Sequence, residues 1–221
     1  MGSPSRPGTT FKTASKRPLL RSNPQWGIRV AGRGAEAVLA GDSPTPKIRG
    51  NFRTMPEAVR YFGEKANLPS ATWRDLWQGQ HARAFTVAGA MKADLLGDLR
   101  QAVDGAIRDG ESLGKFRQRF DDIVARHGWA HTGSRNWRTK VIYDTNVRTS
   151  FMAGKYAKLT DPDMLARHPY WEYRHYTRDN PRLEHKAWNG LILRHDDPWW
   201  QVHFPPNGWG CHCDVLPASA R

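Results

Sequence analysis

The sequence predicts an α+β fold: mainly helical over its N-terminal two-thirds, with a small C-terminal α+β cap and a disordered basic arm in front. Three observations predict it. Apolar residues recur at helical spacing in several stretches between residues 58 and 159. From Trp171 to Tyr176, aromatic and polar residues roughly alternate, which is the period of a strand. Residues 1–50 are rich in Gly, Pro, Ser and Thr, and carry Arg6, Lys12, Lys16, Arg17, Arg21, Arg29 and Arg33 before the first acidic residue, Glu36. Such a segment cannot bury enough apolar surface to offset its ordering entropy.

Order is expected to begin near Phe52. Thr54-Met55-Pro56-Glu57 has a capping-box pattern with proline in the first turn. Ala58, Val59, Tyr61 and Phe62 follow, in a helix that stops before Leu68-Pro69. Thr72 and Asp75 form a second capping pair, opening a short helix with Trp73, Leu76 and Trp77. Leu95, Leu96, Leu99, Val103, Ala106 and Ile107 trace one helical stripe that Gly110 closes. Ser112 caps the next helix, whose stripe is Leu113, Phe116, Phe120, Ile123 and Val124 and whose end is Gly128. The last long helix is expected from about Asn136 to Leu159, with Trp137, Val141, Thr145, Arg148, Met152, Tyr156 and Leu159 on one face. Beyond Pro162 come the strand at 171–176, a turn at Asn180-Pro181, one helical turn from Leu183 to Trp188, and a short strand at Leu191-Ile192-Leu193. Pro198 to Gly210 reads as loop. No internal repeat is visible. The division this suggests is a flexible basic arm (1–50), a helical region (51–135) and a C-terminal domain (136–221).

Thirty-four Lys and Arg oppose twenty-one Asp and Glu, a formal charge of +13. Such an excess favours polyanions through counterion release but carries no sequence-specific readout. The two cysteines, Cys211 and Cys213, are too close for an ordinary disulfide and too few for a disulfide framework, which fits a reducing compartment. No apolar run approaches the roughly 20 residues that span a bilayer, so no membrane partner is expected. Nor do the basic residues at the start precede an apolar core of the secretory kind. Ten Trp supply the core anchors that a chain with 38% apolar residues needs.

The unusual chemistry lies in residues 179–213. Asp179, Arg182, His185, His195, His203, Cys211, His212 and Cys213 all fall there. Zn²⁺ favours thiolate and imidazole in a tetrahedral array. Two cysteines flanking one residue place both sulfurs on the same side of an extended chain. The spacing is therefore compatible with zinc held by Cys211, Cys213, His185 and a fourth group, with His203 and His175 as candidates for the fourth. Two buried apolar cysteines beside ordinary histidines are the alternative. Asp179, His185 and His203 could also belong to a metal-dependent nuclease or effector. No nucleophile motif, phosphate loop or Walker pattern accompanies them, so catalysis is not expected.

Several segments resemble one known family. Tyr143-Asp144-Thr145-Asn146 and the following Arg148 to Gly154-Lys155 resemble its "Ile-Tyr-x-Thr-Asn … Ala-Tyr-x-x-Gly-Arg" helix. Trp171-Glu172-Tyr173, then Asp179, Arg182, His185 and Gly190, resemble its "Tyr … Asp … Arg-x-x-His … Gly" segment. Pro205-Pro206-Asn207-Gly208-Trp209-Gly210-Cys211-His212-Cys213 resembles its closing "Pro-Pro-Asn-Gly-x-x-Cys-Arg-Cys". This is the head morphogenesis (minor head protein) family of Mu-like tailed phages; the motifs cover about residues 137 to 215, and with Leu68-Pro69, Trp73 to Trp77 and His81 to Phe85, which also resemble such proteins, the resemblance covers most of the chain expected to be ordered. His212 stands where the family usually has Arg, and the chain stops soon after Cys213 where Mu-type relatives often continue. The resemblance implies a virion protein of low copy number at the phage head, assembled in the host cytoplasm, with the portal and other head proteins as partners and packaged DNA nearby for non-specific contact. A DNA-binding module and a zinc-dependent nuclease are the competing readings.

Among the motif residues, Thr145 and Asn146 sit mid-helix and are expected to tie the long helix to the cap. Arg148 is one turn from Asp144 and could pair with it. Asp179 and Arg182 could orient His185. The tryptophans at 199, 200 and 209 are expected to cover the cysteine loop. Tyr143, Gly154, Gly190, Pro205 and Pro206 are expected to be structural.

Overall fold

The computed structural model describes residues 55–72, 75, 83–176 and 181–220. The predicted basic arm, the expected helix with Trp73, Leu76 and Trp77, and Asp179 lie outside these residues. The fold is α+β. Helix α1 (Pro56–Gly63) starts with Pro56, and its N-cap, Met55, makes no side-chain capping bond. Proline's preset φ suits this start; Thr54 of the expected capping box lies outside the described residues. Two short parallel strands follow, β1 (Ala66–Asn67) and β2 (Ala84–Phe85). Asp75 accepts from the amides of Ala71 and Thr72 at 2.7 and 2.8 Å, so the second predicted pair does form.

Helix α2 (Ala93–Arg108) buries the six residues its spacing singles out. Helix α3 (Leu113–His127) opens at Ser112, whose Oγ accepts from the Lys115 amide at 3.3 Å, and closes on Gly128 at φ +58°. A left-handed residue there favours glycine. Helix α4 (Arg135–Leu159) begins one residue before expectation, with Ser134 accepting from the Trp137 amide at 3.3 Å. Helix α5 (Pro162–Arg167), unforeseen, is capped by Asp161, which accepts from Asp163 at 3.0 Å and Met164 at 3.3 Å.

The cap is a three-stranded antiparallel sheet: β3 (Tyr170–Arg174) lies between β4 (Ile192–Arg194) and β5 (Asp214–Ala218). Helix α6 (Leu183–Ala187) precedes β4. Helix α7 (Trp199–His203) stands where loop was expected, because Asp197 accepts from the Trp199 amide at 2.9 Å and starts a turn. Strand β5 was not foreseen either. It contains Pro217, which argues against a central strand but is tolerated at a sheet edge, where β5 lies.

Two hydrophobic cores share α4. The first holds Phe62, Phe85, Leu96, Leu99, Phe116, Phe120 and Ile142. The second holds Tyr61, Met152, Tyr156, Leu159, Trp171, Tyr173, Trp200, Phe204, Cys211, Cys213 and Val215. This sharing corrects the predicted stripe on α4. Met152, Tyr156 and Leu159 are buried, but ahead of Met152 the buried positions are Arg138, Thr139, Ile142, Asn146 and Ser150. Trp137 is 55% exposed. With Val141 and Thr145 it lines a cavity of about 960 Å³. One helix serving two cores cannot keep a single apolar face.

Gly154 marks the closest approach of α1 to α4. A Cβ there would stand 2.9 Å from the Ala58 nitrogen and 3.2 Å from its Cβ. Gly154→Ala is therefore expected to lower Tm. Alanine favours the helix by about 1 kcal/mol, but overpacking costs roughly 1–3 kcal/mol. Gly97→Ala, inside α2, meets nothing within 4 Å and is expected to raise Tm. Thermal melts in which both variants shift the same way would contradict this account.

Candidate metal centre

The second core contains a cluster of soft donors, and three elements build it. Helix α6 is one turn long, and its buried face presents His185, 5% exposed. The Trp188 ring stacks on His185 with centroids 5.2 Å apart and an interplanar angle of 20°. Ahead of β5, Cys211 and Cys213 are buried at 4% and 2% exposure while His212 between them is half-buried. The alternation expected of Cys-x-Cys in an extended chain is thus realised. The turn that delivers it needs Gly208 at φ +96° and Gly210 at φ +66°, where a side chain would be strained. The third element is β3, which ends one residue before His175.

The geometry is tight. His185 Nδ1 lies 3.6 Å from Cys211 Sγ and 3.5 Å from Cys213 Sγ. One donor atom from each of the three residues fits within a 4.8 Å mutual separation. The two thiols share a hydrogen bond that holds Cys211 well below the ordinary thiol range and, with burial, pushes Cys213 up. Burial, then a hydrogen bond to Cys213, raises the Tyr173 phenol far above its usual value. Asn207 Nδ2 donates to the Tyr173 oxygen at 3.2 Å and to the His203 carbonyl at 2.8 Å. Tyr173 thus hydrogen-bonds to Cys213 and the Asn207 backbone to Cys211, at the edge of an otherwise apolar cluster.

Arg148 on α4 donates to the His212 carbonyl at 2.9 Å and also to the Cys213 carbonyl. Two turns on, Lys155 pairs with Asp214 at 2.6 Å. Both corrections to the α4 motif follow. Asp144 pairs with Lys140, leaving Arg148 to serve the cap. Asn146 donates back to the Ile142 carbonyl of its own helix at 2.9 Å, and Thr145 accepts from Thr149 through its carbonyl at 2.6 Å. Arg148 and Lys155, not Asn146 or Thr145, tie helix to cap.

The remaining candidates are spread around this centre. His203 stands outside the three-residue group, with its ring against Trp188 and Trp199 at 4.6 and 4.5 Å, and burial lowers its pKa. Arg182 does not reach His185; it donates to the Trp209 carbonyl at 2.7 Å and steadies the glycine turn. Asp179 lies outside the described residues. Tyr143 donates to the Glu111 carbonyl at 2.6 Å, joining α4 to the start of α3. Gly190, at φ +83°, donates its amide to the Tyr173 carbonyl at 2.8 Å and turns the chain into β4. Pro205 and Pro206 are joined by a cis peptide bond. Trp199 and Trp200 pack in the second core as expected, but Trp209 is 51% exposed. Tyr173 and Asn207 were missed as partners of the sulfurs. The inward phase of β3 was the one signal for Tyr173, and none existed for Asn207.

Comparison with known proteins agrees with the motif pattern. Residues 97–216 match the family model described as Phage Mu protein F like protein. The putative capsid assembly protein F of Escherichia phage Mu is 34% identical over 179 residues, covering 74% of this chain and 40% of that protein. The Mu-like prophage FluMu F protein of Haemophilus influenzae is 34% identical over 154 residues, covering 65% of this chain and 36% of that protein. The chain thus spans well under half the length of these relatives. No solved structure matches it.

Proposed function

The chain belongs to the Phage Mu protein F like family, and on that premise we propose that it acts in phage head morphogenesis as a minor capsid protein. The observation that carries the reading is the similarity to a protein named for capsid assembly, running through α2 to β5. Its place is the phage head, reached from the host cytoplasm during assembly. Its partners are other head proteins, the portal among them. Packaged DNA is a non-specific partner, favoured by the formal charge of +13. Among the described residues no helix is long and apolar enough to cross a membrane.

The reading is non-enzymatic. A catalytic centre needs a substrate within hydrogen-bond reach of its acid or base, and His185, Cys211 and Cys213 are all buried. What the donor set suits is a resident metal. Two thiols and an imidazole favour zinc over hard cations, and zinc there would bind the entry to β5 onto α6 as a structural centre.

Mass spectrometry of purified particles and proheads of the encoding phage tests the proposal. The chain is expected at a few copies per particle, and its deletion is expected to stop the formation of filled heads. Absence from both particles and proheads would overturn it.

A further inference from the structure

We propose that His175 is the fourth ligand of this centre, so that the site is a closed Cys₂His₂ zinc clamp joining β3, α6 and β5. The inference rests on the zinc reading above and adds the donor that completes it.

A structural zinc is four-coordinate. With Zn–S about 2.3 Å and Zn–N about 2.0–2.1 Å, the N···S edges of a tetrahedron come to about 3.6 Å. His185 stands 3.6 and 3.5 Å from the two sulfurs, so both N···S edges already have that spacing. A plain hydrogen bond accounts for this less well. One imidazole nitrogen has a single in-plane position for a partner, yet both thiols approach the same Nδ1.

The sheet supplies the fourth corner. In the antiparallel register Tyr173 faces Val215 and Arg174 faces Asp214. One step further sets His175 opposite Cys213. Side chains two residues apart share a face. Trp171 and Tyr173 are buried from β3, and Cys213 and Val215 from the facing chain. His175, half-buried, therefore continues that face at its edge, and its Nδ1 lies 3.5 Å from Cys213 Sγ. Its Asn189 contact fixes the backbone: the His175 amide donates to Asn189 Oδ1 at 2.9 Å. The other ring nitrogen, Nε2, is buried without a hydrogen-bond partner. A ring held in this way is poorly explained as a solvated surface histidine. His175 is not within the 4.8 Å group, so binding draws its ring inward. His203, held against Trp188 and Trp199, has no such register with the cysteines.

The test uses the full chain purified without chelator, with zinc content measured, zinc replaced by cobalt(II), and affinity read by chelator competition. Wild type is expected to hold one zinc and to give the intense visible absorption of tetrahedral cobalt. His175→Ala is expected to weaken binding by more than about 100-fold, beyond what loss of an outer partner costs, and to change the cobalt spectrum. His175→Cys keeps a fourth donor, so it is expected to retain tight binding with added thiolate-to-cobalt absorption; it also guards against misfolding of the alanine variant. His203→Ala is expected to match wild type. A His175→Ala protein with wild-type affinity and spectrum would overturn the fourth-ligand assignment and leave the zinc reading standing. So would a His203→Ala protein that alone loses metal. Wild type without metal would overturn both, and would leave the head-assembly proposal untouched.

Discussion

Trp171→Ala is expected to cost the fold about 3–5 kcal/mol, the range for removing a large aromatic from a packed core. Trp171 is 1% exposed, on the central strand of the cap sheet. Its ring meets Tyr156, Trp200 and Phe204 edge-on at 5.9, 5.5 and 5.7 Å. Tyr156 comes from α4 and Phe204 directly follows α7, so one side chain joins three elements, and its loss opens a cavity that none of them can fill alone. Trp171→Phe gives the internal comparison. The indole Nε1 is buried without a partner, so phenylalanine removes an unsatisfied donor along with some volume and is expected to cost less than about 1.5 kcal/mol. Urea denaturation of the three proteins measures both. A Trp171→Ala protein within about 1 kcal/mol of wild type would mean the second core is not packed as described.

Arg148→Met is expected to cost about 3 kcal/mol. Methionine keeps most of the apolar stem and removes the two donations to the His212 and Cys213 carbonyls. Hydrogen bonds from a charged group contribute roughly 1.5–3 kcal/mol each, but they are not fully additive here because both act on one segment. Arg148→Lys is expected to recover only part, since an ammonium is a point charge where the guanidinium offers a planar fork. The neighbouring Lys155–Asp214 pair holds the same segment, so Arg148→Met and Lys155→Met combined are expected to depart from the sum of the singles. Unfolding of Arg148→Met at the wild-type urea midpoint would show that the tie is dispensable.

Much of the helical architecture was legible because its signals are local. The stripe on α2, the Ser112 cap and the Gly128 stop depend on residues within a turn or two, and each appears as expected. The limits of α4 were legible for the same reason, to within one residue. Its buried face was not, because two cores claim different sides of one helix. Strand β5 was hidden because its partner, β3, lies some forty residues away and its own sequence contains proline.

The site divides in the same way. By itself the sequence determined the family, the α+β class and the chemical character of the centre, since residue type and short spacing suffice to bring two thiols to one side of the chain. Tertiary structure alone decided who stands beside them. His185 and His203 are equally good imidazoles in a sequence. Only the packing of α6 on the cap sets one against both sulfurs, while Trp188 and Trp199 occupy the faces of the other. Arg148, which looked like the partner of Asp144 one turn away, reaches across to residues 212 and 213 because the second core lays β5 beside that stretch of α4. Contacts across such distances are chosen by which apolar faces bury together, and no local spacing records that choice.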